Sequence, residues 1–271
     1  MSARCRAISR SSASAEPALS TWRGPAGSVA RVSAAPLSIL HQDQWLVAID
    51  KPAGMAVHRS QQVRDHAPAL QRLRNQLDRW VYPVHRLDRG TSGVLLFALD
   101  PATARTLGHS LAQREVTKRY LAVTRGHTPP TAEIDWPLRE TPDTPARDAQ
   151  TSLRRLGTVE LPIAVGRYRQ ARYSLVELVP HSGRLHQLRK HMAHLRHPIV
   201  GDVRHGEGRH NRLFREHFGV HRMLLHARAI ELTHPVTDER LEIEAPPDSA
   251  LGALLGTLGW SRATGSAAAE G

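Results

Sequence analysis

Six consecutive apolar residues, Val94–Leu99, follow a turn rich in small residues and precede Asp100-Pro101. A run of that length between turn signals reads as a buried strand. Pro101 stands where a first helical turn accepts proline, and Ala102–Arg114 continues as a helix. Around this pair the chain alternates irregularly. Leu37–Leu40 and Trp45–Ile49 read as short strands split by the turn-like His41-Gln42-Asp43-Gln44. Pro68–Trp80 carries Leu70, Leu73 and Leu77 at helical spacing, and Tyr120–Thr124 and Tyr173–Val179 read as strands. Leu185–Leu195 reads as a basic helix between Gly183 and Pro198, with closing strands over Met223–Leu232 and Leu241–Glu244. Strict βαβ alternation is missing, so the expected class is α+β.

Residues 1–36 hold eight Ser, nine Ala and five Arg with one acid, Glu16, and carry no periodicity. They are expected to form a disordered low-complexity extension. Their composition also resembles an organellar transit peptide, although an amphipathic stripe is missing. Residues 37–260 are expected to form one globular domain, and 261–271 a second disordered tail. With Cys5 as the single cysteine, neither a disulfide nor a cysteine-based zinc site can form within the chain. No apolar run approaches a membrane span, which sets the expectation of a cytoplasmic protein.

The net charge of +12 favours a polyanionic partner. Much of it falls in His181–Arg228, where nine Arg and Lys190 oppose Asp202, Glu207 and Glu216. Ten of the seventeen histidines fall there too. Such a segment suits a phosphate backbone, and its guanidinium groups suit paired oxygens. It also suits a solvated helix face. His191, His194 and His197, three apart and followed by Asp202, raise a metal reading, but no carboxylate lies among them to act as a base. Hydrogen bonding or RNA contact is the preferred use, and neither metal nor cofactor is expected.

The most informative stretch is His85-Arg86-Leu87-Asp88-Arg89-Gly90-Thr91-Ser92-Gly93. A carboxylate near guanidinium groups stays ionised, as a nucleophile or base requires. Gly90 and Gly93 allow another backbone or a ligand to come close. A structural ion pair capping a turn would use the same letters.

An ordered series of motifs carries further information: Asp43–Gly54, His85–Arg89 with Thr91-Ser92-Gly93, Lys118-Arg119-Tyr120, Gly183–Arg189, His197–Asp202 and Leu225-His226-Ala227. This series resembles that of the RluA-type pseudouridine synthases over about residues 37–247. Trp136-Pro137-Leu138, the stretch from Pro162 to Leu178 and the run His191–Leu195 resemble the branch that acts on uridine-65 of tRNA.

The resemblance implies a pseudouridine synthase fold, with a mixed, mostly antiparallel central sheet flanked by helices and loops. It implies an enzyme acting on RNA, most closely tRNA, without a cofactor; no obligate protein partner is inferred, and a monomer is expected. A ribosomal RNA synthase of the same family, a non-catalytic RNA-binding protein and a histidine-metal hydrolase are the alternatives. By the same resemblance Asp88 is the nucleophile or base, Tyr120 stacks on the uracil, and Arg189 pairs with Asp88. Arg86 fills the gap left by a flipped nucleotide, while Lys51, Arg184 and His186 contact RNA or support the site. Without the motif, Tyr120 would read as a core aromatic. Gly90 stands where the tRNA branch often has proline, and Leu185 where the family usually has a polar residue.

Overall fold

In the computed structural model of the chain, residues 35–58 and 68–261 are described. Nearly all of the amino-terminal extension, and the tail after Ser261, lie outside them.

Ten strands form one sheet: β1 (Ser38–Gln42), β2 (Leu46–Lys51), β3 (Tyr82–Pro83), β4 (Ser92–Ala98), β5 (Thr117–Arg125), β6 (Thr131–Asp135), β7 (Gln150–Leu161), β8 (Ala171–Pro180), β9 (Leu225–Thr233) and β10 (Arg240–Glu244). Five helices accompany it: α1 (Ala69–Leu77), α2 (Pro101–Ala112), α3 (Gln187–His194), α4 (Gly208–Phe218) and α5 (Ser249–Thr257). The main strand order is β1-β2-β4-β9-β5-β8-β7-β6, with β3 on β4 and β10 on β9. Among the described residues only the β4–β9 pair is parallel, so the sheet is mixed and mostly antiparallel, within an α+β fold.

The run read as a buried strand is β4, and all seven of its residues are buried. Its alternate side chains divide between two cores. Leu95 and Phe97 join Val47, Ile49 and Leu73 on one face, with Leu188 and Met192. Val94, Leu96 and Ala98 join Leu46, Ala48, Leu107 and Ile243 on the other. A third core packs Tyr173, Leu175, Leu213, Phe214, Leu254 and Trp260 at the far end of β8. Asp100 caps α2 by accepting the N–H groups of Ala102 and Thr103, with Pro101 in the first turn.

The parallel pairing is short, Ser92 opposite His226 and Gly93 opposite Ala227. Gly93 permits it: its φ is +103°, and an added Cβ would lie 2.1 Å from the Ala227 carbonyl oxygen. Gly90, expected to serve the same purpose, meets only the Met223 side chain at 3.4 Å, an ordinary contact.

Several boundaries differ from the sequence reading. The turn after β1 is shorter than His41–Gln44, because Asp43 Oδ1 accepts the N–H groups of Trp45 and Leu46 and lets β1 run through Gln42. α3 begins at Gln187 rather than Leu185, since His186 is left-handed at φ 56°. The pattern did not reveal β3, β6, β7, α4 or α5.

Candidate active site

The stretch His85–Gly93 forms the loop between β3 and β4 and the first two residues of β4, and the loop is fastened by hydrogen bonds. Lys51, fully buried at the end of β2, donates from Nζ to the carbonyls of Pro52 and Met55, both at 2.9 Å, and of Arg89 at 3.4 Å. Gly54, at φ +87°, donates its N–H to the Arg89 carbonyl. In return Arg89 Nε donates to the Gly54 carbonyl at 2.7 Å. Beyond the loop, His226 Nε2 donates to the Ala245 carbonyl, so its Nδ1 accepts from Ser92 Oγ at 2.8 Å. Arg222 also donates to Ser92 and pairs with Asp248.

This scaffold holds Asp88 at the wall of a cavity of about 540 Å³. Its Oδ2 accepts from Arg189 Nη1 at 2.9 Å, across 101 residues of sequence. The flanking arginines, read from sequence as its charge partners, lie elsewhere. Arg89 is spent on Gly54, and Arg86 is exposed at the cavity wall. Tyr120, Arg184, His186 and Arg189 line the same cavity; Lys51 does not. Lys51 is fully buried, with its ammonium on the loop carbonyls.

Arg189 is held as firmly as Asp88. Its Nε and Nη2 donate to the two oxygens of Asp202 at 2.7 and 2.8 Å, a bidentate pair. Asp202 is almost wholly buried and also accepts the N–H groups of Arg204 and His205. Burial works to raise the Asp202 carboxyl, but the Arg189 hydrogen bonds, the two N–H groups and the Arg189 charge outweigh it and hold it below its ordinary value. Asn211 of α4 completes the arrangement, donating to the Asp202 carbonyl and accepting from the Gly201 N–H. The sequence motif contained Asp202 but did not single it out as a site residue. Its signal was an isolated acid in a strongly basic segment, which needs a partner once buried.

His186 Nε2 lies 4.0 Å from Asp88 Oδ1, and its Nδ1 shares a hydrogen bond with His205 Nε2 at 3.0 Å. Burial lowers the His186 pKa to about 4; Asp88 opposes the shift, while Arg189, His205 and Arg204 reinforce it. The ring is therefore neutral at neutral pH. Burial foremost, and then the Asp88 charge, push the Tyr120 hydroxyl upward, so it stays protonated. Arg184 donates from Nε to the Asp148 carbonyl at 3.0 Å, which positions it along the rim.

The three histidines considered for a metal have separate uses. His191 Nε2 donates to the Trp136 carbonyl and its Nδ1 accepts from Thr151 Oγ1. His194 stacks on Trp136 at 3.9 Å. His197, beyond the end of α3, donates to the Arg125 carbonyl. Among the described residues no group of three or more His, Cys, Asp or Glu could hold a metal ion, and no helix is long and apolar enough to cross a membrane.

Comparison with known proteins gives a concordant picture. The RNA pseudouridylate synthase family matches residues 45–194. The chain is 47% identical over 235 residues to tRNA pseudouridine synthase C of Vibrio cholerae, covering 83% of this chain and 96% of that one. It is 46% identical over 235 residues to the protein of the same name from Salmonella typhi, covering 83% and 90%. Among solved structures, human RNA Pseudouridylate Synthase Domain Containing 1 superposes with a TM-score of 0.63 at 28% identity, over 80% of this chain and 86% of that one.

Proposed function

This chain belongs to the RNA pseudouridylate synthase family, and from that premise we propose that it isomerises uridine-65 of tRNA to pseudouridine, with Asp88 as the reacting carboxylate. The observation that carries the reading is the meeting of Asp88 and Arg189 at 2.9 Å on the wall of the cavity that Tyr120 also lines. The tRNA assignment is supported by relatives named tRNA pseudouridine synthase C that align over most of both chains.

The reaction rearranges one nucleotide and adds nothing. The bond from ribose to the uracil nitrogen breaks, the base rotates, and a bond to a ring carbon replaces it. That carbon loses a proton and the freed nitrogen gains one. A walled recess serves this chemistry because it holds the detached base while it turns. Asp88 Oδ2 is fixed by Arg189, which leaves Oδ1 as the oxygen that meets the substrate. Arg189 is itself anchored on Asp202, so the carboxylate is oriented before substrate arrives.

Tyr120, protonated and buried beside Leu225, offers a flat apolar face to the uracil and a hydroxyl that can donate. A uridine inside a duplex cannot reach this depth, so it must be flipped out, at a cost of a few kcal/mol. Arg86 is exposed on the same cavity wall, and its planar guanidinium suits the vacated place in the stack. Arg184 lies along the rim for contact with the RNA, and His186 lines the same cavity 4.0 Å from Asp88.

Incubating the protein with unmodified tRNA transcripts and with ribosomal RNA fragments, followed by chemical mapping of pseudouridine, tests the reading. Modification at uridine-65 of tRNA is expected. Product confined to ribosomal RNA would replace the tRNA assignment.

A further inference from the structure

The triplet Lys118-Arg119-Tyr120 places its two cations in opposite settings. Arg119 pairs with Glu231 and Glu242. Lys118 and Tyr120 both line the Asp88 cavity from β5. Residues two apart on a strand share a face about 6–7 Å apart. Lys118 is only partly exposed, and among the described residues its ammonium has neither an ion-pair partner nor a hydrogen bond.

A recessed, unpaired ammonium costs free energy in the empty protein, so its place in the cavity calls for an anion. The carboxylates lining the cavity are Asp88, engaged by Arg189, and Glu140. Uracil and ribose are neutral, and the anionic part of a nucleotide is its phosphate. Arg114, exposed and left-handed at the end of α2, lines the cavity as well. His85, beside Lys118, is neutral: burial and then the Lys118 charge lower its pKa to about 3, and its Nε2 accepts the Leu96 N–H. It therefore brings no competing charge.

We propose that Lys118, with Arg114 outside it, forms a phosphate subsite that grips the RNA backbone next to the flipped uridine. The grip sets how far the nucleotide enters, with the base against Tyr120 and the phosphate on Lys118. Burial also holds the Lys118 ammonium below its ordinary pKa, the condition of a cation awaiting its counter-charge.

The inference rests on the synthase reading, and the test separates the two. A tRNA is assembled by ligation with an uncharged methylphosphonate replacing the phosphate on the 5′ side of the target, and in a second version the 3′ side. Affinity is measured in the Asp88→Asn protein, so that turnover does not intervene. One of the two replacements is expected to weaken binding about tenfold, as for a lost charge-assisted hydrogen bond. In the Asp88→Asn, Lys118→Met protein the same replacement should cost less than about twofold, and Lys118→Arg should restore the loss. Equal losses with and without Lys118 would overturn the subsite.

If tRNA does not bind at all, the functional reading fails, and inorganic phosphate still tests the lysine. Titrated by NMR, the Lys118 ammonium should rise in pKa when phosphate is added. An unchanged titration would overturn the proposal whatever the RNA result.

Discussion

Arg189 shows at the scale of one residue how the site is stabilised. Three of its N–H donors are spent, two on Asp202 and one on Asp88. Replacing it by methionine leaves the Asp202 carboxylate buried without its counter-charge, a change that costs about 3–5 kcal/mol. Urea unfolding of Arg189→Met should show a loss of that order, and a loss below about 1 kcal/mol would mean that the pair is not part of the folded framework. In the Arg189→Met, Asp202→Asn protein the loss should be smaller than the sum of the single changes, since the two side chains share one interaction. The motif series named Asp88, Tyr120 and Arg189, but local spacing assigned the wrong guanidinium groups to Asp88. Arg86 and Arg89 are near neighbours of Asp88 in sequence, whereas the bond that joins the Asp88 loop to Arg189 of α3 is a product of the fold. Asp202 was noted only beside the histidines, and its pairing with Arg189 was hidden for the same reason.

At the scale of elements, apolar patterning was legible wherever a segment buries whole runs. β2 and β4 sit between two cores, and each carries an unbroken apolar run, Leu46–Ile49 and Val94–Ala98. β7 lies toward the edge and alternates weakly, with only Thr151 and Leu153 buried. α4 buries His210, Asn211, Leu213 and Phe214, so half of its inward face is polar. Its hidden hydrogen bonds, His210 with Tyr173 and Asn211 with Asp202 and Gly201, stand in for apolar contacts that a sequence pattern would register. The β4–β9 junction depends on one backbone position. Gly93→Ala would drive a methyl group into the Ala227 carbonyl and force a φ that alanine avoids. A lower melting temperature is expected, together with reduced turnover, because the junction follows directly on the Asp88 loop. By contrast Gly90→Ala, whose new methyl meets only a flexible methionine, should melt near the wild type.

Charge and titration belong to the whole molecule. Within the basic segment Arg189 and Arg222 are engaged internally, while Arg204, Arg209, Arg212 and Arg215 are exposed. Neutralising several of these four should weaken RNA binding and flatten its dependence on salt, since each phosphate contact releases counterions. An unchanged slope would place the RNA face elsewhere. Histidine burial sets the response to acid. Burial holds His191, His210 and His226 below their ordinary 6.5, and takes His85 to about 3 and His186 to about 4. The unfolded chain takes up protons near 6.5, and the folded chain does so only at lower pH. The stabilisation is therefore complete above the unfolded value and declines as pH falls from about 6.5 toward 4. Melting temperatures measured from about pH 7 to 4.5 should drop across that window, and a flat profile would contradict the buried neutral rings.

All of these scales converge on the carboxylate at the cavity wall. Asp88→Asn keeps the shape and the hydrogen-bond acceptor opposite Arg189 but removes the charge, and it leaves the exposed arginines proposed to hold RNA untouched. Pseudouridine formation at uridine-65 of a tRNA transcript, measured beside the affinity for that tRNA, should fall to background in the variant with binding little changed. Near-normal product from Asp88→Asn would contradict the assignment.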